Sequence, residues 1–344
     1  MPAAKTRSLE TGRGSAMRRI VVRAPGGPEA MRVEEAPTPA PGPGEVAVDV
    51  AYCGCNWADV MVRNNSYPHP TRYPVVPGCE ISGRIRALGE GVDGFEVGQS
   101  VAACPPEDGG YADVCVVPAR DIIPLPPNMP LDLAAAFPLQ GLTAQLMLHD
   151  VGRVGKGSAV LIHAIGGGVG LCLTQLAVKA GCRVLGTVGT AGKDKRPLDL
   201  GAERVVDRNQ EDFAAAALAW TQGRGVDFVY DSVGAATLDR SFDAIRKFGH
   251  IVSYGEASGR PFANIWERMV PRSVTFSRFH LGHADPDSAS WKNAVAAVLE
   301  AVRCGGLKIF IEEVYPLERA ADMHGRLESR QVSGKLLLSV GGEL

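Results

Sequence analysis

The sequence predicts an α/β chain in two parts, a β-rich barrel-like domain and a doubly wound parallel sheet. Three observations predict it. A length of 344 residues is more than one ordinary core holds, and suggests two domains of about 150 residues each. Up to about Pro138, short β-branched runs are broken by Pro and Gly. Beyond it, apolar runs alternate with stretches of helical spacing, the pattern of a parallel sheet covered by helices.

In the first part, Arg19 to Arg23, Glu45 to Val50, Ile81 to Leu88, Gln99 to Ala103 and Tyr111 to Val117 read as strands, with a loop over the Pro/Gly cluster from Pro37 to Gly44. In the second, Ala159 to Ile162 is a buried-strand run, followed by a glycine turn and a helix over Val169 to Lys179. Further strand-and-helix units follow: Val184 to Val188 with Lys193 to Leu200, Arg204 to Val206 with Glu211 to Trp220, and Phe228 to Tyr230 with Ala235 to Ile245. Ile251 to Ser253 closes a sheet of five expected strands. Helices over Ser288 to Arg303 and Leu317 to Glu328 and a strand over Lys335 to Leu338 read as a tail returning to the first domain. The expected division is 1–140 with 279–344 for the barrel domain and 141–278 for the parallel sheet.

Composition narrows the function. A hydrophobic content of 45%, 22% charged residues and a net charge of -2 describe a soluble globular chain with no basic face for nucleic acid. No apolar run approaches the roughly 20 residues of a membrane span. Eight cysteines without a Cys-x-x-Cys pair suggest neither a disulfide framework nor a zinc ribbon, and fit a reducing, cytoplasmic setting. Residues 1–17 read as a polar tail, with an organellar leader as the alternative.

The turn from His163 to Gly170 lies between a strand and a helix, where glycines let backbone amides approach a pyrophosphate. This is the start of a Rossmann-type domain. Aligned on Gly167 and Gly170, with Gly168 and Val169 between them, the Gly-x-Gly-x-x-Gly fingerprint has Ile165 at its first glycine. NAD enzymes usually place Asp or Glu at the end of the second strand, against the ribose 2′-hydroxyl. Here Gly189, Thr190 and Lys193 stand in that region, small and cationic, and Arg208 follows the third strand as a second phosphate partner. NADP(H) is therefore the expected dinucleotide.

Four segments recur together and in this sense carry a resemblance: His163 to Gly170, Gly186 to Lys193, Tyr230 to Gly234 and Gly141 to Ala144. With Cys53 to Asp59 they make the chain resemble the zinc-free, zeta-crystallin-like quinone oxidoreductases of the medium-chain dehydrogenase/reductase superfamily, from about Arg18 to Ser339. The resemblance implies a GroES-like barrel joined to a Rossmann domain, NADPH in the cleft between them, and a homodimer. It places Thr143, Gly167, Gly168, Val169, Gly170, Gly189, Lys193, Arg208, Ser232, Val233, Tyr254, Gly255 and Arg278 against the cofactor. It brings Asn56, Asp59 and Tyr67 near the nicotinamide as catalytic residues. Ile165 departs from a small residue of the turn, and Met61 stands where many of these enzymes carry tyrosine.

The zinc-dependent relatives have cysteine where this chain has Asn56, and histidine where it has Cys79 of Gly78-Cys79-Glu80. No metal site is therefore expected, and the scattered histidines read mostly as structural. Without a Lewis acid, an acceptor that delocalises its own product anion is favoured, such as a quinone or a conjugated carbonyl. Asn56 is expected to orient the nicotinamide or acceptor, and Tyr67 to hydrogen-bond or protonate the developing oxyanion. Trp57 and Phe279 read either as aromatics that flank a planar acceptor or as core or lid packing. Enone or enoyl-thioester reduction, and NADPH binding without turnover, remain the alternatives.

Overall fold

The computed structural model describes residues 16–261 and 263–341. The expectation for residues 1–17 falls outside these except for Ala16 and Met17, which open the first strand. β1 (Ala16–Val22) pairs antiparallel with β2 (Met31–Pro37) in a two-stranded ribbon. The sequence reading missed β2, whose Arg32, Glu34 and Glu35 dilute its apolar signal.

β3 (Glu45–Cys55) is the spine of the first domain and runs five residues further than expected before α1 (Trp57–Arg63). β4 (Ile81–Leu88), β5 (Ser100–Ala103), β6 (Val114–Pro118) and β7 (Ile122–Pro124) complete the early strands. β3 pairs antiparallel with both β4 and β6, which closes Val46, Val48, Ile81, Ile85, Val101 and Val117 into one apolar interior. Two helices unforeseen in the sequence lead out of this domain, α2 (Leu131–Ala134) and α3 (Pro138–Leu146), with proline at the first turn of α3 where its missing N–H costs nothing.

The second sheet follows the alternating pattern: β8 (Ala159–His163), α4 (Gly168–Lys179), β9 (Arg183–Val188), α5 (Lys195–Asp199), β10 (Arg204–Asp207), α6 (Phe213–Trp220), β11 (Val226–Asp231), α7 (Leu238–Ala244) and β12 (Ile245–Ser253). After α8 (Ile265–Met269), a sixth strand, β13 (Thr275–Arg278), adds to the five expected. All pairings are parallel, in the spatial order β10-β9-β8-β11-β12-β13, so the sheet reverses direction between β8 and β11. A ligand crevice opens at such a reversal, beyond the C-terminal ends of the strands.

The chain then returns. α9 (Ala289–Arg303) packs on α3, and its Trp291 and Val298 share an apolar core with Leu142, Val160 and Leu173. β14 (Ile311–Pro316), missed in the sequence, is followed by α10 (Ala320–Glu328) and β15 (Lys335–Ser339), which joins the first sheet antiparallel to β3. Leu336 pairs with Cys55, so the last strand brings Lys335 beside Asn56 although 279 positions separate them. No helix among the described residues is long and apolar enough to cross a membrane.

Candidate functional site

One cleft of about 660 Å³ runs between the two sheets, at the reversal point of the parallel one. It is lined by every expected cofactor residue: Thr143, Gly167, Gly168, Val169, Gly170, Gly189, Thr190, Lys193, Arg208, Ser232, Val233, Tyr254, Gly255 and Arg278. Asn56, Met61, Tyr67, Trp57 and Phe279 line the same cleft. Asp59 does not. It is fully buried behind α1, where its carboxylate accepts the Asn56 amide at 2.7 Å and the Gly78 amide at 3.1 Å. Asp59 therefore holds the two loops that carry Asn56 and Cys79, rather than facing the cleft.

The glycine turn is built for close approach. A Cβ at Gly170 would lie 2.6 Å from the Ala164 carbonyl, so the first turn of α4 can settle on the turn only without one. Ile165, the departure from the fingerprint, does not line the cleft. It is wholly buried, and its side chain fills the space over Gly186 of β9 that any larger residue there would occupy. The bulk missing from one strand accommodates the bulk added to the turn, and the cofactor face keeps its small residues. At the next strand, Asp231 accepts the Val233 amide at 2.7 Å and the Gly234 amide at 2.9 Å, fixing the Ser232–Val233 wall. His163 faces away from the cleft, bonded to Thr187 and Ser241, a structural role as its burial suggests.

Three cations gather where a ribose 2′-phosphate is expected. Burial lowers the Lys193 pKa, and its ammonium donates to the Arg330 carbonyl at 3.3 Å. The Arg208 guanidinium lies over Gly189, and its pKa is lowered by burial and then by Arg330. Among the described residues no carboxylate ion-pairs with Lys193, Arg208 or Arg330, in a chain where most buried cations are paired. A cation group of this kind suits a dianionic phosphate. Arg330 went unrecognised in the sequence because it lies far down the chain, after α10, with no motif around it.

At the other end, Asn56 is held by a network the sequence did not reveal. Its Oδ1 accepts from the Lys335 ammonium at 2.7 Å, and its Nδ2 donates to Glu80 at 3.1 Å. Lys335 also donates to the same Glu80 carboxylate, whose other oxygen accepts the Leu139 amide at 2.8 Å. Lys335 and Glu80 are both fully buried. Burial works against the lysine charge, but Glu80 overcomes it and leaves the Lys335 pKa raised.

This network bears on the zinc position of the superfamily. A buried ammonium is bonded to the residue that stands for the zinc-ligating cysteine, and burial raises the neighbouring Cys79 thiol well above its usual range. Asp59, Cys79 and Asp108 do bring ligand atoms within 4.8 Å of one another, but both Asp59 oxygens are already bonded to backbone amides. The donor set does not fit a catalytic zinc.

Tyr67 Oη lies 2.6 Å from His280 Nε2, and burial pushes the phenol up to about 12. Asp108, unforeseen as a site residue, lines the cleft near Cys79, and burial together with the Asp59 charge raises its carboxyl to about 7.

A six-stranded Rossmann sheet, a β-barrel domain and a nucleotide cleft between them define a medium-chain dehydrogenase/reductase. Residues 42–127 match the alcohol dehydrogenase GroES-like domain and residues 200–338 the zinc-binding dehydrogenase family. A 2-haloacrylate reductase from a Burkholderia species is 34% identical over 92% of this chain and 97% of its own. A probable quinone oxidoreductase of Schizosaccharomyces pombe is 34% identical over 89% of this chain and 92% of its own. The crystal structure of Escherichia coli quinone oxidoreductase complexed with NADPH superposes with a TM-score of 0.89, at 31% identity, covering 94% of this chain and 100% of that one. The chain belongs to the quinone oxidoreductase family of the medium-chain dehydrogenase/reductase superfamily.

Proposed function

We propose that this protein is an NADPH-dependent quinone oxidoreductase that passes a hydride to a quinone or similar conjugated acceptor without metal assistance. The observation that carries the reading is the cleft at the reversal of the parallel sheet, with a glycine cradle and three cations that have no ion-pair partner among the described residues at one end, and a sparse polar wall of Asn56, Tyr67 and Asp108 at the other. Gly167 to Gly170 hold the pyrophosphate, Lys193, Arg208 and Arg330 the 2′-phosphate, and Thr143, Ser232, Val233, Tyr254, Gly255 and Arg278 the remainder of the cofactor. NADPH supplies the hydride, and one proton completes the reduction of a quinone to a hydroquinone.

Asn56, fixed by Lys335 and Glu80, orients the reacting rings, and Asp59 sets the start of α1 that carries it. When His280 donates from Nε2, the Tyr67 O–H is free to donate to the developing oxyanion. Asp108, partly protonated near neutral pH, is a second proton source. The position of the superfamily zinc takes an ammonium instead, so an acceptor that stabilises its own anion fits the site best.

We assign residues 1–140 with 279–344 to the acceptor-binding domain and 141–278 to the nucleotide domain. The separate sheets, one holding β3 to β7 with β14 and β15 and the other β8 to β13, support this division. A cytoplasmic homodimer, with no role in nucleic-acid binding, accords with the net charge of -2 and with β13 as an open sheet edge near the exposed Trp266 and Val270.

Reduction of a conjugated acid or enone is the second reading, favoured by Met61 in the cleft wall and by the similarity to a 2-haloacrylate reductase. Anaerobic NADPH consumption, with NADH as control, against matched benzoquinones, naphthoquinones and conjugated alkenes tests both. NADPH-selective turnover of quinones is the expected result. Turnover of alkenes alone transfers the assignment to the second reading, and tight NADPH binding with no acceptor reduced removes the enzyme assignment.

A further inference from the structure

We propose that His69, His280 and His283 form a binding site for one divalent cation of the zinc class, which fastens two loops together across the acceptor end of the cleft. The rings come from distant parts of the chain. His69 lies in the loop after α1, and His280 and His283 bracket the single 3-10 turn Leu281–His283 that follows β13. In such a turn residues three apart eclipse one another, which puts both imidazoles on one face with centroids 4.9 Å apart. The His69 ring packs 4.7 Å from that of His280 and 5.6 Å from that of His283. One ligating nitrogen from each ring lies within 4.8 Å of the other two, so modest rotation of two exposed side chains brings all three onto one ion. Among the described residues no other three imidazoles gather in this way.

A second observation points to a ligand. His280 Nδ1 is buried and has no hydrogen-bond partner among the described residues, while its Nε2 faces Tyr67. A buried ring nitrogen is ordinarily paired, because leaving it bare forfeits its bond to water. Ligation through Nδ1 satisfies it and leaves the proton on Nε2, which then donates to Tyr67, the outer partner that metal-bound imidazoles commonly have. Three nitrogen donors with no thiolate or carboxylate suit zinc, cobalt, nickel or copper, rather than magnesium or calcium. Arg278 is the nearby cation, and its guanidinium is directed to the carbonyls of Ser253 and Phe279, with Glu256 at 3.9 Å.

The site is separate from the superfamily zinc position at Asn56 and Cys79. It stands at the rim, with His69 and His280 lining the cleft and His283 beside them. Because His69 sits in the loop after α1 and His280 and His283 in the turn that follows β13, an ion there ties two loops together across the opening. It also fixes the Tyr67 hydroxyl. Occupancy therefore slows passage of acceptor and product. That consequence rests on the proposed reductase activity, whereas the binding itself does not.

The test uses full-length, tag-free, chelator-stripped protein titrated with zinc chloride against a chromophoric competitor, and with cobalt chloride for its visible spectrum. The variants are His283→Ala, which is exposed and outside the cleft wall, and Cys304→Ser, which removes an exposed thiol. Wild type and Cys304→Ser take up one zinc, with a rise in melting temperature and cobalt bands lacking thiolate charge transfer. His283→Ala binds about tenfold more weakly or worse, and keeps its metal-free NADPH turnover. Zinc slows wild-type quinone turnover, and a chelator restores it. Failure of wild type to take up zinc, or undiminished uptake by His283→Ala, overturns the site. Stoichiometric uptake with unaltered turnover of an active enzyme overturns the gating, and an enzyme inactive on every acceptor is a failure of the functional assignment instead.

Discussion

Replacing Arg208 by alanine tests the nucleotide assignment where the structure is most specific. The guanidinium lies over Gly189 at the end of β9, half-buried, and donates no side-chain hydrogen bond among the described residues. Its pKa is lowered by burial and then by Arg330, so a neighbouring dianion relieves an existing repulsion as well as forming new bonds. A charge-assisted bond to phosphate contributes about 1.5–3 kcal/mol, which is about 10- to 150-fold in Kd. Partial exposure screens the interaction and moves the expectation toward the lower end of that range. The dissociation constant for NADPH should therefore rise at least about tenfold in Arg208→Ala, while that for NADH changes by less than about threefold. Fluorescence titration of both nucleotides at fixed ionic strength reads this directly. Equal losses for NADPH and NADH would falsify the phosphate role, since removal of a merely structural arginine disturbs both alike. Unchanged NADPH affinity would place the 2′-phosphate elsewhere.

Changes at four further residues test the same geometry. Tyr67→Phe should lower quinone kcat by about 10²-fold with little change in NADPH affinity, and undiminished turnover removes tyrosine as the oxyanion donor. The Asp108 carboxyl, raised to about 7, is protonated below that pH, so kcat/KM for a proton-requiring acceptor should fall as pH rises through about 7 and lose this limb in Asp108→Asn. The raised value also means that Asp108 contributes stability fully present below its ordinary carboxyl range and lost as pH rises through about 7, so the melting temperature of Asp108→Asn relative to wild type should be higher at pH 8 than at pH 5. Ile165→Ala, which empties the space over Gly186, should cost about 2–5 kcal/mol of stability with NADPH affinity nearly unchanged, measured by urea unfolding and nucleotide titration. Glu80→Gln strands the Lys335 ammonium and should destabilise by about 3–5 kcal/mol, whereas Glu80→Leu with Lys335→Met recovers much of the loss, and equal melting temperatures for the single and double variants argue against the ion pair.

The parallel sheet was legible because its inner strands β8, β9 and β11 are buried on both faces, and their apolar runs are set off by helices of clear period. The nucleotide end was legible for a related reason: glycine turns and strand ends are local, so Gly167 to Gly170, Gly189 and Lys193 could be read off short segments. What folding brings together from far apart was not. β13 and β14 are short and half-exposed, with four and six residues and few apolar positions, and gave no periodic signal. Asp59 belongs to the same segment as Asn56, yet in α1 it points into the barrel while Asn56 faces the cleft, a distinction only the helix start determines. Arg330 and Asp108 lie in loops without motifs. His69 and the His280–His283 pair looked scattered in the sequence, and meet only because β13 directs its following turn toward the loop after α1.

On the proposed metal-independent reading, the buried Lys335–Glu80 pair beside Asn56 takes the place that an ion holds in the zinc-dependent members of the superfamily. Lys335 and Glu80, beside the starts of β15 and β4, are shut off from water, so each must be paired or neutral. Here Lys335 supplies a cation and Glu80 the anion that balances it. The ammonium is a strong donor to Asn56 but has no open coordination position, so it can orient the amide without polarising a substrate oxygen. On that reading positive charge stays beside Asn56 while Lewis acidity is given up. The acceptor must then carry its own electron sink, which is the chemistry a quinone or a conjugated acid provides.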